Sequence, residues 1–220
     1  MSYPAPHLEI DTPKDFFSVN LPKLTSPASV KFVLGYHGTA EDFPLSLKDD
    51  FNEADIVLHE QIGWTQDGAD AMDKTARGGE VGLYDDVEGI NRRKSELLKD
   101  TQVRNGFWDV PFGHLSTPEF YQFFGGMHGL STAEWYSKYV DMVLRRDKIA
   151  LRTIGRTIDR LGDDIYSPRV LIIAGLSHVA LANCYKANFK HTEIMAPYPN
   201  IEINNAAQLV ISSLKSRLTS

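Results

Sequence analysis

The sequence predicts an α/β fold with a mostly parallel central sheet flanked by helices. Short apolar runs typical of strands alternate along the chain with segments of helical periodicity, an order typical of parallel sheets. Val170 to Ala174 is an unbroken apolar run, as expected of a central strand that is buried on both faces. A long amphipathic helix is predicted before this strand, and a histidine motif follows it.

The 220 residues are expected to form one domain with an irregular beginning. Five prolines in the first part of the chain favour an extended lead-in over residues 1–29: they stand at positions 4, 6, 13, 22 and 27. Residues 30–220 then form the single α/β domain.

The first half of that domain is predicted as strand, helix, strand, loop and helix. The strands are expected at 30–34 and 55–60, and the second helix at 91–103. Residues 63–90 are rich in Gly, Asp and small polar groups, which favours a loop with at most one short helix. Residues 104–130 are dense in Phe, Gly and His, and we expect an irregular segment. Two interpretations of it stay open: a lid or binding loop, or a pair of short helices.

The long helix is predicted from a capping box formed by Ser131 and Glu134 to about Leu161, with Gly162 as its stop. Apolar residues recur at helical spacing along one side of it: Tyr136, Val140, Val143, Leu151, Ile154, Ile158 and Leu161. Asp147 falls on the same stripe. A carboxylate there must be paired or must face a polar cavity, because an unpaired buried charge is too costly.

The end of the chain completes the alternation. After the buried strand, residues 179–189 have a helical pattern, 192–195 form a weaker strand, and a terminal helix is expected over about 204–218.

Composition excludes several classes of protein. The formal charge of −6 argues against nucleic acid as a partner, because phosphate binding needs a clustered basic surface. The single cysteine, Cys184, leaves no internal disulfide and no Cys-rich zinc site. We find no signal peptide, no membrane-spanning stretch, no Walker loop, no GxGxxG and no nucleophile elbow. A soluble, cytoplasmic protein is therefore expected.

Three polar residues follow predicted strands and are expected at the carboxyl edge of the sheet, where open α/β sheets bind ligands. They are His37, Glu60 and His178. Two imidazoles and a carboxylate suit a divalent metal site with open positions. Equally, one histidine could act as a general base while the other stabilises an oxyanion. Arg146, next to the stripe-breaking Asp147, is the expected orienting partner in the same cavity.

The order of these motifs resembles the TraB/PrgY and Tiki superfamily, which includes erythromycin-esterase-like proteins and a haem-binding lipoprotein family. The similarity spans about residues 30–195. The segments that carry it are Gly35-Tyr36-His37-Gly38, Glu60 after Ile56-Val57-Leu58-His59, Arg146-Asp147, Gly175-Leu176-Ser177-His178, and the HGxxE-like His37-Gly38-Thr39-Ala40-Glu41. The first glycine lies two residues before His37, whereas the TraB and Tiki branch has GxxH.

The resemblance implies a metal-dependent hydrolase that cleaves peptides, as Tiki-like members do, or esters, as esterase-like members do. It assigns metal-binding or catalytic roles to His37, Glu60 and His178. It implies that Arg146 stabilises negative charge, that Asp147 orients a histidine or a metal-bound water, and that Glu41 serves as an additional acid or base. Mn, Co or Zn would be the cofactor.

Two further hypotheses stay open at this level. The same fold could serve a non-catalytic regulatory protein that binds haem, a metal or a peptide. A scaffold could instead act through the aromatic segment 107–136 as a partner surface. The expected ligand is a small molecule or a peptide, with no nucleic acid, and the sequence leaves homo-oligomerisation undecided.

Overall fold

The computed structural model describes residues 3–4, 27–35, 40, 43–60, 87–108, 131–196 and 212–216. The predictions for His37, Glu41 and most of the segments 63–90 and 104–130 lie outside these residues. The predicted sheet, the long helix and the second histidine motif lie within them.

The described strands form one six-stranded sheet in the order β1-β6-β2-β5-β3-β4. They are β1 (Tyr3–Pro4), β2 (Ser29–Gly35), β3 (Ile56–His59), β4 (Arg104–Phe107), β5 (Arg169–Gly175) and β6 (Thr192–Ala196). Strands β2 to β6 pair in parallel, and the two-residue β1 is antiparallel to β6 at the edge. The predicted α/β fold with a mostly parallel sheet is confirmed.

Helices cover both faces of this sheet. They are α1 (Lys48–Glu53), α2 (Val87–Leu98), α3 (Thr132–Asp164) and α4 (Val179–Asn188), with 3-10 turns at Leu45–Leu47 and Leu176–His178. Residues 212–216, inside the predicted terminal helix, are also helical. None of the helices in these ranges is both long and apolar enough to cross a bilayer.

Alternate side chains of the strands build two separate apolar cores. On β2, Phe32 and Leu34 face the core that α3 and α4 cover, whereas Val33 faces the core that α1 and α2 cover. Strand β5 is buried along Val170–Ala174, as the unbroken apolar run predicts. The sheet is therefore covered on both faces, and its carboxyl edge is the natural place for a site.

Helix α3 begins as predicted and ends later. Ser131 and Glu134 form the capping box, and the stripe residues whose side chains are described, from Val140 to Leu161, are buried. The predicted stop at Gly162 is wrong, because the helix continues to Asp164. A glycine within a helix costs only about 1 kcal/mol relative to alanine, and Leu161 beside it is packed in the core.

Strand β4 is the main element that the sequence pattern missed. The prediction of a helix over 91–103 and an irregular segment from 104 is corrected: α2 begins at Val87 and ends at Leu98, and β4 follows at Arg104–Phe107. It is four residues long, and among the described strands it pairs with β3 alone. Its sequence, Arg-Asn-Gly-Phe, has a single apolar side chain at its end, so there is no alternation of apolar and polar residues to recognise.

Candidate functional site

Glu60 stands at the carboxyl edge because β3 ends one residue before it. Its backbone N–H donates to the Ile173 carbonyl at 2.9 Å, which continues the ladder between β3 and β5. Its side chain then crosses the end of β5, where Oε2 accepts a 2.7 Å hydrogen bond from the backbone N–H of Gly175. The carboxylate is thus fixed over the end of the central strand.

His178 reaches the same point from β5. The 3-10 turn Leu176–His178 follows that strand, and His178 is the N-cap of α4. Its side chain is fully buried, and each ring nitrogen faces a carboxylate. Nε2 lies 3.0 Å from Oε1 of Glu60, and Nδ1 lies 2.5 Å from Oδ1 of Asp147.

Helix α3 supplies the two remaining members. Asp147 lies one turn from Val143 and one turn from Leu151 on the buried stripe, and its side chain is fully buried. Arg146 donates from Nη2 to Oε1 of Glu60 at 2.9 Å. We call Glu60, Arg146, Asp147 and His178 the edge network. These four predicted site residues converge from two strand ends and one helix.

The edge network holds a proton on His178. Burial by itself lowers the pKa of this imidazole, but the charges of Glu60 and Asp147 and their hydrogen bonds outweigh burial and raise the pKa to about 10. Burial also raises the pKa of the Asp147 carboxyl, although the charge of His178 opposes this. At neutral pH we therefore assign an imidazolium between two carboxylates, with Asp147 as the partner of Nδ1–H.

Exposure divides the edge network into an inner and an outer part. The side chains of His178 and Asp147 are 0% exposed, whereas those of Glu60 and Arg146 are 12% and 11% exposed. Glu60 and Arg146 are therefore the partly accessible members of the edge network, and His178 and Asp147 are its inaccessible members.

Trp108 is a neighbour of the site that the sequence did not reveal. It follows β4, is fully buried, and its indole N–H donates to the Ile173 carbonyl at 2.9 Å. Its ring meets the His178 imidazole edge to face, with 5.0 Å between centroids. The only signal available was a tryptophan after an unrecognised strand. Trp108 therefore packs directly against the His178 ring.

The geometry of Glu60 and His178 fits a divalent metal ion in part. Asp147 occupies Nδ1, so Nε2 is the nitrogen directed at Glu60, as in carboxylate–histidine–metal arrangements. The 3.0 Å between Nε2 and Oε1 suits two ligands that each lie about 2 Å from one ion. Among the described residues no group of three His, Cys, Asp or Glu side chains could hold an ion. Metal binding would also require that Nε2 lose its proton.

Two predicted site residues, His37 and Glu41, lie outside the described part of the chain. Gly35, two residues before His37, pairs with Gly175 in the register of β2 and β5. His59, which precedes Glu60 in the sequence, is 3% exposed and lies near Phe51, with 6.2 Å between ring centroids. It belongs to the core of α1 and α2, away from the edge network.

Comparison of the chain with protein-family models, curated proteins and solved structures found no match in any of the three. The function is therefore inferred from the geometry of the edge network.

Proposed function

We propose that this chain is a hydrolase that cleaves an ester or a peptide bond at the edge network. The observation that carries the proposal is one hydrogen-bonded group of four charged side chains at the carboxyl edge of the sheet, two of them fully buried and two only slightly exposed. A buried ion network is seldom more stable than an apolar core of the same volume. Strongly shifted pKa values at such an edge support a catalytic role.

In the proposed reaction, Glu60 is the general base. It takes a proton from water, the water oxygen bonds to the carbonyl carbon of the substrate, and the bond to the leaving alcohol or amine breaks. Glu60 then returns the proton to that leaving group. Arg146 lies at the exposed side of Glu60 and stabilises the negative charge that develops on the carbonyl oxygen.

His178 and Asp147 are positioning residues in this scheme. The imidazolium donates to Oε1 of Glu60, and Asp147 fixes the ring through Nδ1. The Gly175 N–H restrains the other carboxylate oxygen. Because these three contacts hold Glu60 in one orientation, it needs little reorganisation when the water molecule approaches.

A divalent ion, Mn²⁺, Co²⁺ or Zn²⁺, belongs to a second form of the proposal, in which Nε2 of His178 has lost its proton and no longer donates to Glu60. Glu60 and His178 would hold it, with His37 as the proposed third ligand, and Asp147 would orient the His178 ring. When bound, the ion would supply a hydroxide at neutral pH and polarise the substrate carbonyl.

The proposal is tested by comparing the same Glu→Gln substitution at the site and at an exposed position. Purified protein would be assayed with 4-nitrophenyl acetate and with a fluorogenic peptide library, in chelator and in each of the three ions. Glu60→Gln is expected to lower kcat by about 10²- to 10⁴-fold, whereas Glu96→Gln, at an exposed position on α2, should leave it unchanged. Equal activity in wild type, Glu60→Gln and Arg146→Met would overturn the proposal.

Metal binding is measured separately from activity. Calorimetric titration with each ion is expected to show one site in wild type and none in His178→Ala. Absence of binding in wild type, together with activity that survives chelator, would exclude the ion and leave Glu60 as the base.

A regulatory protein that binds haem or a peptide is the alternative outcome of the same tests. Saturable binding of haem, followed by its absorption spectrum, with no hydrolysis under any condition would favour it.

We also propose a reducing, cytoplasmic setting. The support is that Cys184 is the single cysteine of the sequence and is a buried free thiol, so no internal disulfide is possible, as is usual for proteins of a reducing compartment. Secretion of a tagged full-length chain by its host cell would contradict this location.

A further inference from the structure

Helix α2 carries a lysine on its buried stripe. Ile90 and Leu97 are fully buried in the core that α1 and α2 share, and Lys94 lies between them at spacings of four and three. Residues at these spacings are on the same face of a helix. Lys94 therefore faces the sheet side of α2, where it is partly buried. It is the counterpart, on the other face of the sheet, of Asp147 on the stripe of α3.

Contacts with Phe43 fix the position of this ammonium. Lys94 Nζ lies 4.9 Å from the centre of the Phe43 ring, and Phe43 is 3% exposed. The neighbouring Arg93 donates from Nη1 to the Phe43 carbonyl at 3.1 Å. Phe43 belongs to the part of the chain that leads from the carboxyl end of β2 into α1. The Lys94 ammonium is thus held against the Phe43 ring on the sheet side of α2, within electrostatic reach of Glu60 at the carboxyl edge.

Lys94 also interacts electrostatically with the edge network. Burial lowers the pKa of its ammonium to about 8, and the charge of Glu60 opposes this lowering. Among the described residues no oxygen accepts a hydrogen bond from Nζ, although an ammonium has three N–H groups to donate. A partly buried cation without an acceptor is costly, so the site favours a ligand that supplies one.

The formal charges indicate the chemistry of that ligand. In the edge network, the imidazolium of His178 and the guanidinium of Arg146 balance the carboxylates of Glu60 and Asp147. Lys94 adds one positive charge that this network does not balance. The Phe43 ring contributes a cation–π contact but no charge. Counted over the described residues alone, the combined site therefore has one net positive charge and is complementary to a monoanionic group with oxygen acceptors.

We infer that Lys94 is a specificity-determining residue of the edge network that binds a carboxylate carried by the substrate. The substrate is then an ester or peptide with a carboxylate close to the scissile bond. Its cleavage depends on the proposed hydrolase function, but the binding of a carboxylate at Lys94 does not.

Binding is tested without any reference to catalysis. Lysines of the full chain would be acetylated with limiting N-hydroxysuccinimidyl acetate and quantified by peptide mass spectrometry, with succinate or with neutral succinamide present at equal ionic strength. Succinate at several times its Kd should slow acetylation of Lys94 by about fivefold and leave the exposed Lys99 unaffected. Equal rates at Lys94 with succinate and with succinamide would overturn the inference.

Variants separate charge from packing. Lys94→Met keeps an unbranched side chain without charge, Lys94→Arg keeps the charge, and Lys99→Met is the matched control at an exposed lysine. Calorimetry with succinate should show binding in wild type, Lys94→Arg and Lys99→Met, and none in Lys94→Met. If Lys94→Met fails to fold by circular dichroism, the labelling result and Lys94→Arg still decide.

Hydrolysis of a charged and a neutral ester tests whether carboxylate binding at Lys94 contributes to the reaction. Lys94→Met should lower kcat/KM for mono-4-nitrophenyl succinate by about ten- to a hundredfold, the loss expected for one hydrogen bond to a charged group. For 4-nitrophenyl acetate it should change little. An equal loss for both esters would contradict a role in specificity. If wild type hydrolyses neither ester while succinate still protects Lys94, the hydrolase proposal fails and the carboxylate site stands.

Discussion

Asp147→Asn isolates one charge of the edge network. Asparagine keeps the size of the side chain, and its amide oxygen can still accept from Nδ1–H of His178. The negative charge that lies 2.5 Å from that nitrogen is lost. The site is fully buried, so solvent cannot replace the missing charge. We expect the His178 pKa to fall and the folded state to lose stability.

The size of the expected loss in unfolding free energy follows from the pKa of His178. Its rise from 6.5 to about 10 corresponds to about 5 kcal/mol of preference for the protonated ring, at about 1.4 kcal/mol for each pH unit. Burial opposes this rise, so Asp147 and Glu60 together favour the protonated ring by more than that net amount. The variant should therefore have a His178 pKa well below that of wild type and lose about 3 kcal/mol of unfolding free energy near pH 6, the lower end of the range for removing one partner of a buried ion pair.

The pH dependence has a definite sign. Because folding raises the His178 pKa, its stabilising contribution is fully present below about pH 6.5 and is lost as pH rises through the folded pKa. In wild type this loss extends from about 6.5 to about 10. In Asp147→Asn it should be complete at a lower pH than in wild type.

The assay combines two measurements on metal-free protein. Urea unfolding at several pH values gives the free energies, and NMR of the imidazole carbons gives the pKa, with the His178 signals assigned from their absence in His178→Asn. Asp164→Asn, at an exposed position, is the control and should match wild type in both. A wild-type His178 that titrates below pH 7, or an unchanged pKa in Asp147→Asn, would refute the reasoning.

Three smaller predictions concern contacts around the site. Ser131→Ala removes the capping box of α3 and should lower the unfolding free energy by about 1 kcal/mol; an unchanged urea midpoint would contradict it. Trp108→Phe removes the indole N–H that bonds to the Ile173 carbonyl and should cost about 1 kcal/mol in the same assay, since that carbonyl loses one of its two donors and keeps the Glu60 N–H. Tyr185→Phe removes the hydroxyl that bonds to the Leu151 carbonyl at 3.1 Å, and a loss of about 1 kcal/mol is expected. A melting temperature equal to that of wild type would show that water replaces this bond.

Much of the sheet could be predicted because its central strands are buried on both faces. The run from Val170 to Ala174 can only be accommodated between two layers of helices, and its neighbour β2 has a similar apolar pattern. Strand β4 could not be predicted in this way, because it lies at an edge and is only four residues long.

The site residues that could be predicted are those whose place in the sequence, after a strand or on a helix stripe, already indicates where they lie in the fold. Glu60 and His178 follow strands, so parallel pairing brings them to one edge, and Asp147 interrupts an apolar stripe. Trp108 and Lys94 gave no such signal. Trp108 reaches His178 because β4 adds to the sheet beside β3. Lys94 is one charged residue in a helix with several others, and only the packing of α2 shows which of them faces the core.

Because the hydrogen bond from the Gly175 N–H to Glu60 joins a main-chain donor to a side-chain acceptor, its two residues should differ in their tolerance to mutation. The donor is a main-chain N–H, so replacing Gly175 by another residue keeps the donor unless the new residue is proline. The backbone there has φ −68° and ψ 155°, a conformation open to any amino acid. In a library of all single substitutions, position 175 should therefore fail most sharply at proline. Position 60 should reject nearly every replacement. The difference in tolerated substitutions between positions 175 and 60 would thus indicate, from mutational data without a structure, that residue 175 contributes through its main chain.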